Sequence, residues 1–402
     1  MRQGVDGSVG VLGKRAPWPA VVAAYAIFGQ QVWRIAKTFW ALDNNLIVDA
    51  VRMLGSGHSP YESKRFIYPP SSIPFAWVQT PFSDHALMRH VPYVLAAGLV
   101  VAWWAALKMF GFSPRSWLGV AGIAVAGFFL PVYLVLVNAN WTAIVAAMMA
   151  VALLLMGRGR WVLAGVVIGL SIALKPMLVP IGLLFLLARR WWGFAAAAGI
   201  PIALCGIVLA FLPQRELFFT KTLPFLLHGQ DSFAQPYDSS LLAILPRLGI
   251  DGPVVTVLRG LVLAVTIAVA VLRWRQGGEE RLRIVETSAV LMLGTFLVLS
   301  PTFLYYPLLV VPALAASIAV PGSVARSIWY WLASLLLLDG AVRIYHLDFA
   351  TPAKTGLMQA YKGTAWIVAV GLLLLVKVVH GMRKPAEPVK EREREPQMAD
   401  RP

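Results

Sequence analysis

Between residues 91 and 212 the chain passes through six apolar stretches (91–110, 117–137, 141–156, 161–174, 176–188 and 193–212) joined by connections of only a few residues. A segment that is apolar on all sides has no stable place on the surface of a water-soluble protein. A hydrocarbon core ~30 Å thick takes roughly 20 such residues per helix. Further runs at 17–37, 254–272, 284–300, 304–320, 327–342 and 364–381 bring the number of candidate spans to about twelve. Backbone groups in lipid must be satisfied internally, and runs of this length satisfy them as helices. The expected fold is an all-α polytopic membrane protein, and the composition agrees: 59% hydrophobic residues, 13% charged and a mean hydropathy of +0.72. Lys175-Pro176 divides one long apolar region in two, so the span boundaries across 161–188 stay open.

The net charge of +16 does not point to nucleic acid, because the basic residues sit in short connections and in the tail. With a cytoplasmic N-terminus, GRGR (157–160), ARRWW (188–192), RWRQGGEERLR (273–283), GSVAR (322–326) and the tail from Arg383 all fall inside. That is the asymmetry of the positive-inside rule, and it places both termini in the cytoplasm of a plasma membrane, with anionic lipid as the natural partner. The first apolar run continues through Gln30, Gln31 and Arg34 without a small-residue cleavage pattern, so it reads as a span and not as a signal peptide. A single cysteine, Cys205, allows no internal disulfide, and no Cys or His cluster has metal-ligand spacing. Residues 1–382 read as one transmembrane domain and 383–402 as a disordered, charged tail.

This topology leaves segments 38–90, 213–253, 300–304 and 343–363 outside. In the first, NLIVDAVRML carries Ile47, Val51 and Leu54 on one side and Asn45, Asp49 and Arg52 on the other, which predicts an amphipathic helix lying in the interface. Beyond GSGHSPYESKRF, Pro69 or Pro70 can start a second short helix that sets Trp77 at headgroup depth. No internal repeat is visible and few charges lie deep in the spans, both of which count against an ion-coupled transporter.

There is no phosphate-binding loop, no H-E-x-x-H and no Asp-x-Asp pair of the kind that holds a metal on a diphosphate. The polar groups on the outer side are Asp43, Asp49, Lys64, Arg65, Tyr68, Lys175, Lys221, His228, Asp231, Asp238, Arg247, Tyr305, Tyr306, Arg343 and His346. Several have two readings. Asp43 is well placed to cap the helix that follows it. Lys175 is either a snorkelling lysine at a helix break or a phosphate ligand. Tyr68 either turns the chain or lines a sugar pocket, and Tyr305 and Tyr306 are either interfacial aromatics or contacts for a lipid donor. Asp49 belongs to the polar face of its helix or touches an acceptor, and His228, Asp231, Asp238 and Ser239 are loop polarity or substrate contacts. Lys64, Arg65, Lys221, Arg247 and Arg343 are cations on the side that the positive-inside rule disfavours, which gives weight to lipid or donor phosphate as their partner.

In order, the chain carries Asp43 after the first span, GSGHSPY, YPP (68–70), VNANW (137–141), RWVLAGVVIGLSIALKP (160–176) with a basic RRWW after it, FFTKTLPFLLHGQDSF (218–233), YDSSLLAI (237–244) and LSPTFLYY (299–306). This order resembles membrane glycosyltransferases of the GT-C fold, specifically glycosyltransferase family 87, and within it the actinobacterial α-(1→3)-arabinofuranosyltransferases. The resemblance covers most of 38–320; Asp231 matches an acid of that motif, while Asp238 stands where the motif has Asn.

The resemblance implies inverting transfer of a sugar, arabinofuranose in the first instance, from a polyprenyl monophosphate to a cell-envelope glycan or glycolipid at the outer face. It places the catalytic base at Asp43. A monophosphate leaving group can be stabilised by Lys, Arg or His, so no metal or other cofactor is expected. On this reading Lys175, Tyr68, Lys221, His228, Arg247, Tyr305 and Tyr306 serve the donor, and Asp49, Asp231, Asp238 and Ser239 the acceptor. A polyprenyl-phosphate-mannose-dependent mannosyltransferase is the alternative within the family. A non-catalytic flippase or transporter of lipid-linked sugars, or a ligand-free scaffold, is the alternative outside it.

Overall fold

The computed structural model describes residues 7–228, 234–338 and 352–383. The chain begins with α1 (Gly7–Gly13), α2 (Trp18–Ala36) and α3 (Leu42–Arg52). After short 3-10 turns come α4 (Ile73–Trp77) and α5 (Asp84–Met109), the latter started by Ser83, whose Oγ accepts from the Ala86 amide. Next are α6 (Trp117–Ala126), capped in the same way by Ser116, then α7 (Leu130–Val137), α8 (Thr142–Met156) and α9 (Trp161–Leu174). A 3-10 turn at Pro176–Ile181 leads into α10 (Gly182–Leu187), followed by α11 (Trp191–Phe211), α12 (Leu223–His228), α13 (Leu241–Arg247), α14 (Pro253–Arg275) and α15 (Glu280–Val298). The last helices are α16 (Val311–Ala316), α17 (Ile328–Leu335) and α18 (Pro352–Arg383). No strand is formed among the described residues.

Every apolar run predicted from sequence has a helical counterpart, but not every run is one helix. Residues 117–137 divide into α6 and α7, with Pro131 in the first turn of α7 and the Leu130 amide bonded to Leu337 O at 2.8 Å. Pro307 and Pro312 break 304–320 into two 3-10 turns around α16. Residues 339–351, which include the end of the 327–342 run together with Arg343 and His346, and the tail 384–402 lie outside the described residues. Among the described residues, four helices are long and apolar enough to cross a membrane: α5, α11, α14 and α18. The most apolar window of α11 is only 6% buried, with Trp192 and Phe211 exposed, so apart from the face it packs on α9 its apolar side chains have no protein cover among the described residues. The molecule is an all-helical membrane protein.

The bundle packs α5 on α8, α8 on α9, α9 on α11, α14 on α15 and α15 on α18. The α9–α11 seam depends on small residues: a Cβ on Gly165 would lie 2.1 Å from the carbonyl oxygen of Gly193. This is the close backbone approach that dispersion-driven packing in lipid favours. The amphipathic helix expected after the first span forms as α3: Ile47 and Val51 are buried as predicted and Leu54, just past its end, is half-buried, but Asn45, expected on the polar side, is buried too, as are Asn44 and Val48, and α3 packs against α4 and α5. The second short helix begins at Pro70 as a 3-10 turn, and Trp77 at its end is exposed.

At one end of the bundle, where the turns at 109–116, 157–160 and 276–279 gather, a buried carboxylate holds α14, α15 and α18 together. Glu286 Oε2 accepts from Arg273 Nε at 2.7 Å, and both Glu286 oxygens accept from Lys377 Nζ at 2.5 and 2.6 Å. The Val324 amide also donates to Glu286. Removing one partner of a buried ion pair typically costs about 3–5 kcal/mol, because the remaining charge is stranded. Glu286→Ala is therefore expected to lower the thermal midpoint in detergent well beyond Lys377→Met, since the lysine side chain keeps 26% of its exposure.

Candidate active site

At the other end of the bundle five separate turns bring their polar groups to one place. Helix α7 ends at Val137, where Ala139 adopts φ +51° and turns the chain sharply into α8. The Asn138 carbonyl, left without an intrahelical partner, accepts from the Asp43 amide at 2.9 Å, itself an unpaired donor in the first turn of α3. Helix α9 ends because Pro176 supplies no amide hydrogen and forces Lys175 to an extended backbone, φ −156° and ψ 120°. The stranded Ala173 carbonyl is taken by Ser71 Oγ at 2.8 Å, which also seats the 68–72 turn beside the lysine.

The centre of the cluster is Asn140. Its Nδ2 donates to Asp43 Oδ2 at 2.6 Å and to Tyr305 OH at 3.1 Å, while its Oδ1 accepts from Lys175 Nζ at 2.9 Å. Lys175 Nζ also donates to Thr142 Oγ1 at 3.0 Å. The ammonium stands 5.9 Å from the Tyr68 ring and 5.5 Å from the Tyr306 ring, within cation–π range. Trp141 packs edge-on against Tyr68 and donates to Asn44 Oδ1 at 2.8 Å. Desolvation pushes the Asp43 carboxyl above the usual carboxylate range, against the opposing pull of the Asn140 hydrogen bond and the charge on Lys175. The Tyr68 hydroxyl, raised further by burial and by Asp43, stays protonated. Among the described residues, no group of three or more His, Cys, Asp or Glu side chains could hold a metal ion.

Residues 66–301 match Glycosyltransferase family 87. The chain belongs to this family. It is 30% identical over 286 residues to an alpha-(1->3)-arabinofuranosyltransferase of Mycobacterium tuberculosis, a match that takes in 68% of this chain and 64% of that protein. To the protein of the same name from Corynebacterium glutamicum it is 26% identical over 253 residues, covering 61% of this chain and 56% of the relative. A polyprenol-phosphate-mannose-dependent alpha-(1-2)-phosphatidylinositol pentamannoside mannosyltransferase of Mycolicibacterium smegmatis is 30% identical over 230 residues, covering 52% of each. The matched stretch thus spans less than two thirds of the length of these relatives.

Within this family 87 chain, the fold joins Asp43, Tyr68, Lys175, Tyr305 and Tyr306, which lie up to 263 positions apart in sequence. It does not add Asp49 to them. Asp43 and Asp49 stand about 120° apart around α3, and Asp49 instead pairs with Arg52 at 2.7 Å, which also reaches Asp84 and locks α3 to the start of α5. Lys221 is exposed in a π-helical turn, and Arg247 Nη2 donates to the Gln235 carbonyl. Lys64 and Arg65 are exposed, and the side chain of His228 and all of Asp231 lie outside the described residues.

Asp238 and Ser239 are fully buried. Asp238 accepts from the Ser240 amide, Ser240 Oγ, Ser300 Oγ and the Thr302 amide at 2.7–2.9 Å. The Ser239 amide donates to Thr302 O, and its own carbonyl accepts from Thr364 Oγ1 on α18. The pair therefore holds in place the turn that presents Tyr305 and Tyr306.

Asn140, Thr142 and Asn44 were not singled out from sequence. The signal for Asn140 was the VNANW turn (137–141), two asparagines crowded between two apolar runs where one residue would have sufficed to turn the chain; Thr142 just after it and Asn44 beside Asp43 had none of their own. Asp238→Ala leaves the Ser240 and Thr302 amides without an acceptor, at about 1–3 kcal/mol for each. A thermal unfolding series should show a drop for Asp238→Ala, with Asp238→Asn falling between it and the wild type.

Proposed function

We propose that this chain is a polytopic, GT-C-like inverting glycosyltransferase of about twelve spans, in which the shorter apolar helices complete the crossings that α5, α11, α14 and α18 make alone. Its donor is a sugar on a polyprenyl monophosphate, with arabinofuranose favoured, and its acceptor is a cell-envelope glycan or glycolipid at the outer face of the plasma membrane. The observation that carries this reading is the arrangement of Asp43 and Lys175 around Asn140. The carboxylate keeps Oδ1 free of hydrogen bonds among the described residues, and the ammonium uses two of its three N–H groups. The names of the relatives support the donor class and rank arabinofuranose ahead of mannose.

Asp43 acts as general base. The acceptor hydroxyl passes its proton to Oδ1 while its oxygen attacks the anomeric carbon, and the bond from that carbon to the phosphate oxygen breaks on the opposite face. The third Lys175 N–H stabilises the charge that develops on the departing monophosphate, so the reaction needs no metal. Tyr68 and Tyr306, whose rings flank the ammonium, line the sugar pocket, and Tyr305 extends it. Of the remaining candidates, Lys221, His228 and Arg247 serve the donor and Asp231 the acceptor.

A panel of polyprenyl-phosphate sugars, offered with a mycobacterial-type glycan acceptor to the protein in vesicles, tests the reading; consumption of none of them sinks it. Asp43→Asn should insert normally yet lose about 10²–10⁴-fold in transfer, whereas a flippase would tolerate the change. The base works only when ionised, and burial raises its pKa. The rate should therefore rise with pH along a limb placed above the ordinary Asp value of about 3.9. A pH profile of kcat/KM already flat from that value upward would remove Asp43 as the base.

A further inference from the structure

The side-chain amide of Asn140 has two donors and two lone pairs, and its surroundings dictate which end faces which neighbour. The Thr142 amide, at 2.9 Å, and the Lys175 ammonium can only donate, so they require Oδ1; the Asp43 carboxylate can only accept, so it requires Nδ2. Thr142 Oγ1 adds a third contact to Oδ1 at 2.6 Å, and Tyr305 OH takes the second Nδ2 hydrogen. The residue is 4% exposed and every position on its amide is in use.

Asp43 and Lys175 do not touch each other. Opposite charges this near to one another, with little water between them, attract strongly and would close into a direct pair if nothing stood in the way. The Asn140 amide fills that gap with its dipole aligned, hydrogens toward the carboxylate and oxygen toward the ammonium. A local Asx turn leading into α8 accounts for the bond from the Thr142 amide to Oδ1, two residues along the chain. It does not account for the two bonds made by Nδ2.

We propose that Asn140 is the positioning residue of this site: a neutral, dipole-aligned spacer that prevents Asp43 and Lys175 from pairing, so that Oδ1 of the acid stays open to an acceptor hydroxyl and one N–H of the lysine stays open to a phosphate. The inference rests on the reading of Asp43 as base. It extends that reading by making the separation of the two charges, and not only their presence, the property that the fold preserves.

Two variants keep the turn bond to the Thr142 amide while removing the spacer. Asn140→Asp retains an oxygen for the Thr142 amide but loses the donor to Asp43 and sets a second carboxylate beside it. Asn140→Ser retains a short acceptor and opens the gap. With decaprenyl-phosphoryl arabinofuranose as donor, both should lose about 10²-fold or more in kcat while still folding, with the thermal midpoint lowered only as far as the lost hydrogen bonds require. The rising limb of the Asn140→Asp profile should move to higher pH by at least about one unit, because two carboxylates then share the site.

Labelling of Asp43 by dicyclohexylcarbodiimide, which attacks protonated carboxyls in apolar surroundings, gives a readout independent of turnover. It should fall in Asn140→Ser, where the acid pairs directly with Lys175. Wild-type kcat and pH profile in Asn140→Asp, or unchanged or increased labelling in Asn140→Ser, overturns the spacer. Asp43→Asn run in parallel separates the two ideas: if it remains active the base reading itself is wrong, and if it is dead while Asn140→Asp is normal, only the spacer falls.

Discussion

The bond between the Asp43 amide and the Asn138 carbonyl joins two helix ends that would otherwise each carry an unsatisfied group into an apolar environment. Much of this end of the molecule follows from that constraint. Helix α3 is held down on the bundle instead of floating at the interface, and its first side chain after Leu42 is brought to the turn before α8. The α9 terminus is treated in the same way by Ser71, so the two catalytic candidates Asp43 and Lys175 are both delivered by helix ends that needed partners. A membrane fold that must satisfy every broken helix thereby acquires a set of convergent polar groups, and the chemistry of the site is built from the same places where the helices stop.

The two ends of the bundle treat buried charge in opposite ways. Glu286 is in direct contact with both Arg273 and Lys377, its charge more than balanced by the two cations. Asp43 and Lys175, also a carboxylate and an ammonium, are held apart by an amide and each keeps hydrogen-bonding capacity in reserve. The first arrangement suits a joint between helices, the second a place where a charged or proton-bearing molecule has to be received. Composition alone does not distinguish them; the distance between the groups does.

Much of the architecture was legible in the sequence, because an apolar run long enough to cross hydrocarbon has few alternatives to a helix. The places where runs divide were less so. Pro131, Pro307 and Pro312 all lie inside apolar runs, and each sits in the first turn of the helical piece that follows the break, a place where proline is ordinary and does not announce that a run divides. Asp43 and Lys175 stood out as isolated charges beside apolar segments. Asn140 did not, since an asparagine in a turn is ordinary and its partners come from residues 43, 175 and 305. Asp238 drew attention for its charge, yet burial and four donors make it a brace for the neighbouring turn. A carboxylate on the outer side looks the same in sequence whether it is open to a ligand or filled by backbone amides.

Helix α18 touches both of these regions. Thr364 bonds to the Ser239 carbonyl beside the turn that carries Tyr305, and Lys377 sits in the ion cluster at the opposite end. Thirteen residues of helix separate them, about 20 Å of rigid rod. One continuous helix therefore ties the turn beside the candidate site to the ion cluster, so the register of either contact fixes that of the other.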